Sequence, residues 1–147
     1  MFASSPFAAT SARAPRGGLY QQVGIETRVG AANPHQLVAL LFEGYMEALA
    51  QARGAMRNDQ REAKGLALGR AVRIVEEGLR AGLDLQAGGS LAHDLNDLYN
   101  YLSTRLTLAN LRNDEAMLDE CQRLVLPLQQ AWTAIGPGAA NNPGNAR

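Results

Sequence analysis

The chain of 147 residues has little of what most often carries chemistry or staples a fold. Its single cysteine, Cys121, excludes an intramolecular disulfide framework. With only His35 and His93 beside that thiol, no structural zinc or other metal site is expected. Fourteen basic residues balance fourteen acidic ones, and this zero formal charge argues against nucleic acid as a partner, because phosphate binding wants a basic excess. Lys64 is the only lysine, and every other basic residue is Arg. No window approaches the roughly 18 consecutive apolar residues of a membrane span, so no membrane insertion is expected. Aromatic residues make up only 5%, which leaves the packing to Leu, Val, Ala and Ile. The length suits one domain with its own core.

The two ends read differently from the middle. Residues 1–18 are rich in Ala, Ser, Pro and Arg and close on Gly17-Gly18. They lack the apolar stretch of about 7–15 residues that a secretory signal needs. Pro6, Pro15 and the absence of an amphipathic repeat also speak against an organelle transit peptide. The composition predicts a disordered tail. Residues 136–147 hold three Gly, two Pro and three Asn and read as a second tail. The folded body is expected at 19–135.

Four helices are legible in that body. Asn33-Pro34 is a helix start, with Asn capping the free amides and Pro at the position whose N–H has no partner. The helix runs to about Arg57, with Leu37, Leu40, Leu41, Gly44, Ala48, Ala52 and Ala55 along one side. His35, in its first turn, reads as a solvated end residue. A second helix is predicted from about Arg61 to Ala87, ended by Gly88-Gly89, and a third from Ser90 to about Arg112. Asn113-Asp114 breaks the pattern and caps a fourth helix from Glu115 to about Ile135, with a kink expected at Pro127. Short connections favour antiparallel neighbours. The fold class is all-α: an antiparallel up-down four-helix bundle with a flexible N-terminal segment.

Two of the helices carry more apolar surface than a bundle stripe of about 100° requires. On the second, Ala67, Ile74, Ala81 and Leu85 form one flank and Leu68, Val72, Val75, Leu79 and Leu83 the other, an arc of about 200°. On the third, Leu91, Leu95, Leu98, Tyr99, Leu102, Leu106 and Ala109 make the core stripe, while Tyr101 and Leu108 share a second, narrower one with Leu111 at its margin. Either both flanks are buried against neighbouring helices, or the surplus lines an external groove for an amphipathic partner.

Catalytic constellations are missing. A di-iron bundle needs Glu-x-x-His, but Ala32 and Ser90 stand three residues before the histidines. There is no phosphate-binding Gly-rich loop and no nucleophile elbow. Cys121 lies on an apolar stripe with Leu118, Val125, Leu128 and Trp132 and reads as a core thiol. His93 is followed by Asp94-Leu95-Asn96-Asp97, whose carboxylates would repel the phosphate of a phosphotransfer module. No enzyme activity and no cofactor are expected.

An ordered series of motifs resembles the FliS family of flagellar secretion chaperones. Tyr20 is followed by Asn33-Pro34-His35-Gln36-Leu37 and Leu40-Leu41-Phe42-Glu43-Gly44, then Ile74-Val75-Glu76-Glu77-Gly78-Leu79 with Leu83-Asp84. Next come Gly88-Gly89-Ser90-Leu91-Ala92, Leu95-Asn96-Asp97-Leu98-Tyr99-Asn100-Tyr101, Leu106, Ala109-Asn110 and Asp114, and finally Ala131-Trp132. The similarity covers about Tyr20 to Ile135. Phe42 stands where the family pattern has Tyr, Asn33 where it has Ser, and Gly78 where a bulkier helix former is usual, a change that loosens a helix by about 1 kcal/mol.

The resemblance implies a cytoplasmic, non-enzymatic chaperone that binds the disordered C-terminal region of flagellin. It would prevent premature polymerisation and bring the client to an export-gate component of the flagellar type III secretion apparatus. Under that reading Leu68, Val72, Leu79, Leu83, Tyr101 and Leu108 touch the client. The N-terminal segment around Leu19, Tyr20, Val23 and Ile25 lies over part of the groove in the free state, and self-association of the unliganded protein is left open. A generic helical adaptor for another amphipathic segment is the alternative.

Overall fold

The computed structural model describes residues 33–141. Residues 1–32, which contain the expected tail and Leu19, Tyr20, Val23 and Ile25, and residues 142–147 lie outside the described residues. Four α-helices and no strand are found among those described: α1 (Pro34–Arg57), α2 (Arg61–Arg73), α3 (Gly89–Arg112) and α4 (Glu115–Asn141). A π-helical segment, Ile74–Arg80, continues α2 directly.

The helix ends follow from short polar sequences. Asn33 accepts from the Gln36 N–H at 2.8 Å, and the Gln36 side chain accepts from the Asn33 N–H at 3.0 Å, a reciprocal capping box with Pro34 in the first turn. Asp59 (φ 55°) closes α1 in the left-handed conformation, with the Gln60 N–H bonded back to the Ala55 carbonyl at 2.8 Å. Asn113 (φ 53°) closes α3 in the same way, through Asp114 N–H to the Ala109 carbonyl at 3.1 Å. Asn and Asp are the side chains that tolerate this region best. The Asp114 carboxylate then accepts from the Ala116 N–H at 3.0 Å and starts α4.

Contacts between elements show an antiparallel bundle. The start of α1 meets the end of α4 through His35 and Trp132, while the end of α1 meets the start of α4 through Arg57 and Glu115. The start of α2 meets the end of α3 through Lys64 and Asn113. Each helix packs on its sequence neighbours and α1 packs on α4, which closes the ring. Inside lie Tyr45, Leu49, Leu68, Ile74, Val75, Leu102, Leu106, Leu118, Cys121 and Val125. The Tyr45 hydroxyl, buried among them, donates to the Cys121 carbonyl at 3.1 Å.

Two expectations about helix ends are corrected. The second helix does not reach Ala87: it leaves α geometry at Ile74 and ends at Arg80, with the Ala81 N–H bonded to the Glu76 carbonyl at 3.2 Å. Residues 81–88 form a turn instead, in which Asp84 accepts from the Gln86 and Ala87 N–H groups at 3.1 and 2.9 Å. Glycine is needed in that turn, but Gly89 (φ 61°) opens α3 rather than capping α2. In α4, helical dihedrals run through Pro127 and are interrupted at Gly136 (φ 73°, ψ 172°), after which helical backbone resumes to Asn141. Pro127 is exposed, so the lost backbone bond falls on a face where water can replace it.

Candidate functional site

The early end of α2 decides where apolar surface is left uncovered. Among the described residues no helix follows Arg80 until α3 begins at Gly89, which leaves a gap among the first turns of α1 and α3 and the last turns of α4. Their core stripes continue past the closed part of the bundle and open as a cleft. Its volume is about 490 Å³, and it is lined by Val38 and Phe42 of α1, by Gly78, Leu79, Gly82 and Leu83, by Leu91, Leu95 and Tyr99 of α3, and by Leu128, Ala131, Trp132 and Ile135 of α4. Leu91 is 67% exposed and Ile135 51%, and these two form its accessible rim. A Cβ on Gly78 would lie 3.0 Å from both Leu41 methyl groups, so this glycine lets the π-helical floor seat closely on α1. The lining is apolar, which suits the nonpolar face of a peptide rather than a charged ligand.

The six positions expected to touch a partner do not lie together on one outer groove. Leu79 and Leu83 line the cleft, Leu79 from its buried floor and Leu83 half-buried. Leu68 is 2% exposed and belongs to the core, which corrects its assignment to an outer groove. Val72 and Leu108 are half-buried against that core. Tyr101 is exposed, but its hydroxyl donates to Glu120 on α4 and Arg105 lies over its ring at 5.8 Å. It faces α4. Glu120 also accepts from Arg105 Nε at 2.7 Å, and its carboxyl is held below the usual carboxylate range, first by Tyr101 and then by Arg105.

The wide apolar arc on α2 is buried along most of its length. A helix in a closed ring of four has two neighbours, and both flanks are covered: Ala67, Leu68, Ala71, Ile74 and Val75 are all buried. The cleft draws instead on residues that look like ordinary core in the sequence, namely Phe42, Leu91, Leu95, Tyr99, Leu128 and Trp132. Only the paired glycines Gly78 and Gly82 hinted that α2 would stop short.

His35 is also corrected. It is 7% exposed, not solvated. Its Nε2 donates to the Trp132 carbonyl at 2.8 Å, the Trp132 Nε1–H donates to the His35 carbonyl at 3.0 Å, and the two rings stack with centroids 5.0 Å apart at 7°. Cys121 is buried in the core, where burial pushes its thiol up to about 12. No group of His, Cys, Asp or Glu that could hold a metal occurs among the described residues, and none of their helices is long and apolar enough to cross a membrane.

Comparison with known proteins points to one family. The family model described as flagellar protein FliS matches residues 17–139. The chain is 48% identical over 116 residues to the flagellar secretion chaperone FliSB of Pseudomonas aeruginosa, covering 79% of this chain and 91% of that protein. It is 43% identical over 121 residues to the flagellar secretion chaperone FliS of Salmonella typhimurium, covering 82% and 90%. With the flagellar secretion chaperone FliS of Bacillus subtilis the identity is 31% over 113 residues, covering 77% and 80%.

Proposed function

The chain belongs to the FliS family of flagellar proteins, and from that premise we propose that it is a cytoplasmic export chaperone whose end cleft receives the C-terminal segment of flagellin. The observation that carries the reading is the apolar cleft left among α1, α3 and α4 where α2 stops. A disordered segment docks there as short amphipathic helix, with its nonpolar side chains against Leu79, Leu83, Leu91, Leu95 and Trp132. Held in this way it is kept from polymerising before export and is carried to the export gate of the flagellar secretion system. The role is binding and delivery, with no reaction catalysed and no cofactor required.

The energetics favour a releasable complex. Fully burying a Leu or Ile side chain stabilises by about 1.5–3 kcal/mol, so covering the part of Leu91 and Ile135 that is exposed contributes about 1–2 kcal/mol each. Ordering a disordered segment costs about 2–5 kcal/mol. The rim roughly offsets the ordering, and the rest of the lining supplies a moderate net affinity. In the free protein, Leu19, Tyr20, Val23 and Ile25 at the start of the chaperone domain cover part of the cleft. Removing that cover exposes a surface on which unliganded molecules self-associate.

The test is hydrogen exchange of the full chain with and without a C-terminal fragment of flagellin. Protection is expected over residues 78–95 and 128–135 at one-to-one stoichiometry. Absence of binding, or protection confined to the outer faces of α1 and α2, defeats the proposal.

A further inference from the structure

Of the buried residues His35 and Lys64, only His35 bonds to a residue of the cleft lining, Trp132. Its place in the first turn of α1 is fixed by local contacts. Asn33 and Gln36 cap each other's backbone N–H, and Pro34 restricts the chain between them. The imidazole then reaches across to α4. Because a carbonyl can only accept, Nε2 must carry the proton in the 2.8 Å bond to Trp132. That carbonyl lies in the turn before the break at Gly136, where end carbonyls run short of helical donors. Trp132 answers with its own indole N–H to the His35 carbonyl at 3.0 Å, and the rings stack. The indole so fixed is one wall of the cleft.

We propose that His35 is a positioning residue for the cleft: the reciprocal His35–Trp132 latch holds the indole as a preformed wall and thereby raises affinity for the client segment. The inference rests on the reading of the cleft as the client site. A half-buried indole at a helix end, without a partner for its N–H, samples several rotamers. Binding must then select one, and the competent fraction directly scales the apparent affinity. The latch removes that loss by aligning three contacts on one pair of side chains. At the far end of the same helix pair, Arg53 and Arg57 hold Asp119 and Glu115 and restrain the helices without touching the cleft.

Trp132 is the chain's only tryptophan, so its indole reports on the latch with no client present. In the full-length wild-type chain the single indole N–H is expected to exchange slowly by NMR; exchange at the rate of free indole overturns the proposal. His35→Phe keeps a ring for stacking but has no donor. It should red-shift the emission, increase acrylamide quenching, and raise Kd for a flagellin C-terminal fragment by about tenfold, the scale of one net hydrogen bond. His35→Gln, whose amide can donate to the Trp132 carbonyl, should recover part of both effects, and it carries the test with the exchange measurement where His35→Phe does not fold. Wild-type emission and quenching in His35→Phe overturn the proposal, as does a released indole with undiminished affinity. A wild-type chain that binds no flagellin fragment defeats the client reading instead, while indole exchange and emission still decide whether the latch exists.

Discussion

Lys64 at the start of α2 donates its ammonium to the Asn110 carbonyl at 3.0 Å and to the Asn113 side-chain oxygen at 2.9 Å, and so closes the C-terminal end of α3 from a neighbouring helix. Asn113 is the left-handed residue that ends α3. A buried cation therefore sits where the carbonyl end of the helix dipole favours positive charge. The chain's only lysine is a structural one. Lys64→Ala leaves a carbonyl and a side-chain amide without their donor and should lower stability by about 1–3 kcal/mol. The urea midpoint should fall with an unchanged slope. A midpoint within error of wild type would show that water replaces the ammonium.

Charge placed on the rim and on the floor of the cleft should separate binding from folding. Leu91→Asp changes a 67% exposed side chain, so melting should stay within about 0.5 kcal/mol of wild type while the flagellin fragment is lost. Leu79→Asp buries a carboxylate at a position 6% exposed and should unfold or loosen the bundle, a loss of several kcal/mol. Circular dichroism melts of both variants, read beside a binding titration, decide the matter. Equal stability of the two would place Leu79 on the surface.

The turn before α3 makes an unusual demand on its two glycines. Gly89 has the positive φ of 61°, yet a Cβ there meets nothing within 4 Å. A Cβ on Gly88 would lie 2.6 Å from the Ala92 Cβ and 2.7 Å from the Asp84 carbonyl oxygen. Gly89→Ala should cost about 1–2 kcal/mol from backbone strain alone. Gly88→Ala forces backbone to move and should cost more, about 2–3 kcal/mol. It should also weaken client binding, because Leu83 and Leu91 flank the displaced turn. The reverse order of thermal midpoints would contradict the packing described for this corner.

Alkaline pH should destabilise the protein through Cys121. Burial, first among the causes, pushes its thiol up to about 12, whereas in the unfolded chain a thiol titrates near 8.5. Between those values the unfolded state binds fewer protons than the folded one, so stability falls as pH rises, by about 1.4 kcal/mol per unit for one group. Wild-type melting temperature should begin to drop near pH 9. Cys121→Ala should hold a flatter line from about pH 8.5 to 9.5, where unfolded tyrosines, titrating near 10, are still mostly protonated. Parallel lines for the two proteins would mean that the thiol does not carry the effect.

The local features of this chain were set by its sequence because their causes act over a few residues. The Asn33 cap, the Pro34 start, the Asn58-Asp59 and Asn113-Asp114 breaks and the core stripe through Leu118, Cys121 and Val125 all depend on backbone amides and helical periodicity nearby. Those same features imply four antiparallel helices. Which apolar residues stay uncovered is a different kind of quantity, since it depends on what stands opposite them. Leu68 and Leu91 are both leucines on helical stripes, but one is enclosed by a neighbour while the other projects beyond the point where α2 ends. His35 and Trp132 lie 97 positions apart, and no periodicity relates them. The early stop of α2 and the seating of Gly78 on Leu41 arise from contacts between helices, so the cleft and its latch exist only once the bundle has closed.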